Sequence, residues 1–90
     1  MRNDLDVTCL VCGYPHLSEP PYDESGCASF EICPSCGTEF GYDDATKPIE
    51  ALRQEWLDGG APWWSKDRRP PLGWSGTKQL EDAGLLHPRT

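Results

Sequence analysis

Two copies of one short pattern constrain this chain more than anything else in it. Cys9-Leu10-Val11-Cys12-Gly13 and Cys33-Pro34-Ser35-Cys36-Gly37 each place two cysteines three positions apart and follow the second with glycine. Twenty residues, 13–32, lie between the pairs. That is the spacing of a four-thiolate metal site. Two intervening residues let a tight turn aim both sulfurs at one ion. The glycine that follows can take a positive φ angle at little cost, so the backbone can curl round the metal. Cys9, Cys12, Cys33 and Cys36 are therefore the expected metal ligands. Zinc is the expected ion and iron the alternative, because tetrahedral sulfur sites suit both. Four cysteines leave no open coordination position, so the expected role is structural and the protein is expected not to be an enzyme.

The chain has 90 residues, enough for one domain over 1–90: a metal-bearing part over 1–44 and a helical, aromatic-rich part over 45–90. A core of this size is marginal without a staple. A structural zinc ion contributes on the order of 10–16 kcal/mol of apparent folding free energy and would supply one. Disulfides are the competing use of the cysteines. Met1-Arg2-Asn3-Asp4 opens without an apolar signal segment, so a reducing, cytoplasmic setting is expected instead. No apolar run reaches the length of a membrane span.

The net charge of −7 is uneven. Residues 1–45 hold one base against nine acids, a balance of −8, and residues 46–90 hold seven bases against six acids, +1. The metal-bearing part should repel phosphate, and its acids read as a solubilising surface.

Residues 1–8 read as the start of a strand leading into the first knuckle. Residues 15–26, with Pro15, Pro20, Pro21, Gly26 and several acids, read as a surface loop. Residues 27–32 read as a strand with Phe30 and Ile32 on one face, and residues 38–42 as its return, with the second knuckle at the tip. Asp44 or Thr46 can cap a helix over about 47–58, with Ile49, Leu52 and Trp56 on one face and Leu57 beside them. Gly59-Gly60 ends it. Ser75 can cap a second helix over about 76–83, stopped by Gly84, after which Leu85 and Leu86 can pack back on the body. The expected fold class is a small metal-stapled α+β protein, with zinc-ribbon-like or rubredoxin-like β-hairpins followed by one or two short helices.

The segment Phe30-Glu31-Ile32-Cys33-Pro34-Ser35-Cys36, with Asp43-Asp44 downstream, resembles the second knuckle of the cysteine-rich CPCC family, small bacterial proteins of unclear activity. That family has Cys-Pro-Cys-Cys-Gly at its first knuckle, where this chain has Leu10-Val11 in place of Pro-Cys. Residues 37–42 look like an insertion before the acidic pair. The resemblance covers residues 9–44 and implies metal-binding cysteines. The knuckles are also similar to those of rubredoxins, which implies a single iron and electron transfer. The spacing between pairs departs from that family, and Glu31 stands where it has an aromatic residue.

The remaining chemistry-bearing residues have plainer readings. Cys27 has no base near it in sequence and reads as a small buried residue or an inert thiol, outside the metal shell. His16 and His87 read as surface histidines, and Asp43 and Asp44 as a helix-start pair. Trp63, Trp64 and Trp74, with Lys66, Arg68 and Arg69 among them, are many large groups for a small chain. They can form core. They can also form a recognition face, since tryptophan and arginine dominate interface hot spots. Trp63, Trp64, Trp74, Arg68 and Arg69 are the candidate partner-binding residues. A protein is the expected partner, a nucleic acid the alternative, and a membrane is not expected. At least one of the three tryptophans is then expected to be exposed.

Overall fold

In the computed structural model, which describes residues 7–85, the two knuckles adopt one geometry twice. The amide of Cys9 donates to the Tyr14 carbonyl (2.8 Å) and that of Gly13 to the Cys9 carbonyl (3.0 Å). Cys33 to Thr38 (2.9 Å) and Gly37 to Cys33 (2.8 Å) repeat the pattern. Gly13 and Gly37 have φ of 85° and 82°, in the left-handed region where other residues are strained.

Helix α1 spans Ile49–Asp58 and helix α2 spans Gly76–Asp82, both within a few residues of the expected spans. Ser75 caps α2 by accepting a hydrogen bond from the Lys78 amide (3.3 Å). The start of α1 differs from expectation. Pro48 stands at its cap position, and no side chain caps it. Asp43 and Asp44 lie instead in a short 3-10 turn, Asp43–Ala45. Trp56 is the buried residue of α1, and Ile49, Leu52 and Leu57 pack against the core beside it.

The expected β-hairpins are not there. The described residues contain no strand and no sheet, only two isolated antiparallel bridges, Tyr22 with Ala28 and Ile32 with Glu39. This overturns the zinc-ribbon-like or rubredoxin-like α+β class. Side chains take the backbone donors that a ladder would need. The Glu39 amide donates to the Asp43 carboxylate (2.8 Å), the Gly41 amide to Asp44 (2.7 Å) and the Glu31 amide to the Ser29 hydroxyl (3.1 Å). Such local bonds compete with secondary structure. Phe30 has φ of 60°, which breaks the extended run, and Phe30 and Ile32 stay 59% and 45% exposed rather than forming a buried face. The expected strand start at residues 1–8 falls largely outside the described residues, as do His87 and Leu86. Leu85 packs against the core.

The core joins the two knuckles to both helices. Cys9, Val11, Cys12, Cys33, Phe40 and Leu80 are fully buried. An aromatic chain extends it, with ring centroids 5.7 Å apart for Tyr14 and Trp63, 5.2 Å for Trp63 and Trp74, and 6.5 Å for Trp74 and Trp56. α2 meets the end of α1 at Gly76, where a β-carbon would fall 2.5 Å from the Ala61 carbonyl oxygen and 2.9 Å from the Trp56 ring. No helix among the described residues is long and apolar enough to cross a membrane.

Candidate metal centre

The two turns bring the sulfurs of Cys9, Cys12, Cys33 and Cys36 within 4.8 Å of one another. The Cys9 and Cys36 sulfurs are 3.7 Å apart, and those of Cys12 and Cys33 3.6 Å. A disulfide would need about 2.05 Å. Four sulfurs at the usual zinc distance of about 2.3 Å, tetrahedrally arranged, would be about 3.8 Å apart along each edge. These two separations fit that figure and all six lie within 4.8 Å, so this donor set can hold one metal ion. The first knuckle also aims amides inward: Val11 and Cys12 donate to the Cys9 sulfur at 3.4 and 3.5 Å. Such bonds stabilise a thiolate.

The electrostatics of the bare cluster are lopsided. Hydrogen bonds from Cys12, then Cys33 and Cys9, hold the Cys36 thiol far below its ordinary range. Contact with Cys12, together with burial, pushes the Cys9 and Cys33 thiols far above theirs. Four crowded thiols cannot all ionise side by side without a cation among them.

Carbonyls that each turn does not pair within itself need donors. The rest of the chain supplies them. Arg53 of α1 donates to the carbonyls of Val11 (2.9 Å) and Leu10 (2.7 Å). The amides of Trp64 and Ser65 donate to the carbonyls of Ser35 (3.0 Å) and Pro34 (2.8 Å). Gln79 of α2 joins the two knuckles. Its amide nitrogen donates to the Cys12 carbonyl and to the Ser35 hydroxyl, both at 3.0 Å, and its carbonyl oxygen accepts from the Trp74 indole (2.8 Å). Sequence reading missed Arg53 and Gln79. A polar residue at a buried position of a short helix was the available signal, but that helix's buried face was not assigned.

Cys27 is exposed rather than a small buried residue, a free thiol outside the cluster, in a loop closed on Asp23. The Asp23 carboxylate accepts the amides of Cys27 (3.0 Å) and Ser25 (2.9 Å) and the Ser25 hydroxyl (2.8 Å). Those bonds, the Cys27 amide first, hold its carboxyl below the usual range. Asp44 also accepts the Tyr22 hydroxyl, which raises the pKa of that phenol. Glu31 accepts the amides of Ser18 (2.9 Å) and Glu19 (3.1 Å). Several acids of the negative half thus tie down loop backbone, a use beyond the solubilising surface expected of them. His16 is exposed, its ring edge-on to Tyr14.

The candidate partner-binding residues divide. Trp63 and Trp74 are half-buried in the aromatic chain, with indole N–H groups bonded to the Arg68 carbonyl and to Gln79. Trp64 is 53% exposed, which supplies the exposure expected of at least one of the three. Its ring lies on Gly37, where a β-carbon would fall 2.5 Å from it. Lys66, Arg68 and Arg69 are exposed close by in sequence.

Two curated proteins of Bacillus subtilis (strain 168) are similar to this chain. The uncharacterized protein YoaQ is 32% identical over 69 aligned residues, and the uncharacterized protein YozI 30% identical over 70. Each alignment covers 59% of this chain and 58% of the relative, so the chain spans less than two thirds of the curated relatives it matches. No family model and no solved structure matches.

Proposed function

We propose that this chain is a non-enzymatic module held together by one zinc ion on Cys9, Cys12, Cys33 and Cys36, and that it binds another protein. The observation that carries the metal half is the clustering of four unbridged sulfurs within 4.8 Å of one another, two of their pairs at the edge length of a tetrahedral site. Elemental analysis of freshly purified protein should find one zinc per chain. A red, redox-active iron form would favour the electron-transfer reading implied by the rubredoxin-like knuckles. A first shell containing nitrogen or carboxylate oxygen would overturn the four-sulfur assignment.

Support for protein binding comes from Trp64. It is a large, half-exposed aromatic seated on the second knuckle, in a segment with three exposed bases. Tryptophan beside arginine is the composition of an interface anchor. Trp64→Ala should weaken a co-purifying protein partner at least tenfold and change stability little. The same bases give the nucleic-acid reading its support. Oligonucleotide binding at physiological salt, weakened uniformly by neutralising Lys66, Arg68 and Arg69, would select it.

A further inference from the structure

The four cysteines are not equally covered. Cys9, Cys12 and Cys33 are fully buried, whereas Cys36 is half-buried. A cleft of about 290 Å³ reaches Cys36 and no other cysteine. Thr38, Asp43, Lys47, Glu55 and Trp56 are among the other residues that line it. The Cys36 sulfur lies 3.3 Å from the Thr38 hydroxyl. The Lys47 ammonium is held by Glu55 at 2.6 Å, so the cleft sets two carboxylates against one already paired cation.

From this geometry we infer that Cys36 is a modification site, the one ligand through which small, uncharged, soft electrophiles open the metal centre. The inference rests on the metal reading above. The cleft admits a molecule of a few heavy atoms, and its carboxylates disfavour anions. The Cys36 thiolate attacks the electrophilic carbon of an alkylating agent such as iodoacetamide. A sulfur–carbon bond forms as the carbon–iodine bond breaks, and iodide leaves with the bonding pair. The thioether left on Cys36 carries no charge and binds zinc poorly, so this position lets go of the ion. The buried sulfurs of Cys9, Cys12 and Cys33 are reached only after that.

The test uses the full chain carrying Cys27→Ser, which removes the exposed free thiol. Zinc content is measured first. The protein is then treated briefly with iodoacetamide, and singly modified molecules are isolated and mapped by mass spectrometry while a colorimetric chelator follows zinc release. The expected result is label at Cys36 in at least tenfold excess over each of Cys9, Cys12 and Cys33, with zinc released at the rate of that labelling. Single labels spread evenly, first labelling at another of the four, or molecules passing straight to full labelling would each overturn the inference while leaving the zinc site standing. Protein that contains no metal would overturn the metal reading, and this inference with it.

Discussion

Gln79 is the residue on which the two halves of the candidate centre depend most. It is buried, and its side-chain amide bonds the first knuckle, the second knuckle and Trp74 at once. Gln79→Ala leaves a carbonyl, a hydroxyl and an indole N–H short of a partner. An unsatisfied buried group costs about 1–3 kcal/mol, so a loss of about 3 kcal/mol is expected in urea unfolding of the metal-loaded protein. A loss under about 1 kcal/mol would mean that water replaces the amide. Asp23 makes a separate prediction about pH. An unfolded aspartate titrates near about 3.9, and its folded value is lower. Between the two only the unfolded segment binds the proton, so acid weakens the loop. Its contribution is complete above about pH 4 and is lost as pH falls through the lowered folded value. The amide resonances of Ser25 and Cys27 should follow this titration in NMR spectra, and Asp23→Asn should abolish the dependence.

At the scale of elements, the knuckle turn recurs with two different neighbours. Behind Gly13 lies the end of α2, where a β-carbon would fall 3.0 Å from the Gln79 carbonyl oxygen and 2.8 Å from the β-carbon of Ala83, just past the helix. Behind Gly37 lies the Trp64 ring. Each turn therefore needs glycine twice over, for its φ and for the close approach. Gly60 gives the comparison: φ is 97°, with nothing within 4 Å of an added β-carbon. Gly60→Ala should cost only the left-handed backbone term, about 1–2 kcal/mol. Gly37→Ala should cost clearly more and displace Trp64, which changes indole fluorescence. Equal costs would show that the Trp64 ring swings away freely.

For the molecule as a whole, the described residues place two short helices around two turns, with no sheet to hold them. Helices of ten and seven residues are too short to persist alone in water. On the metal reading proposed above, their docking depends on turns that the ion closes, so metal binding and folding should be one event. Cys33→Ser, or a strong chelator, should abolish the cooperative thermal transition. A melt that survives either treatment would show that the aromatic core suffices without the ion.

The four cysteines that cluster and both helices were legible in the chain, because each rests on local chemistry. Each Cys-x-x-Cys-Gly pair makes a tight turn that brings its own two sulfurs together, and Ser75 and Gly59-Gly60 mark helix ends within a few positions. The strands were misread because alternation in residues 27–42 says nothing about where backbone amides find acceptors. Asp43, Asp44 and Ser29 captured them, and Phe30 turned into the left-handed region. Tertiary structure alone decided which cysteine meets a cleft and which tryptophan stays outside. It also decided which polar side chain closes the gap between the knuckles. Burial and hydrogen-bond partnership of that kind depend on neighbours more than forty residues away, as for Gln79 with Cys12 and Ser35, and no local pattern encodes them.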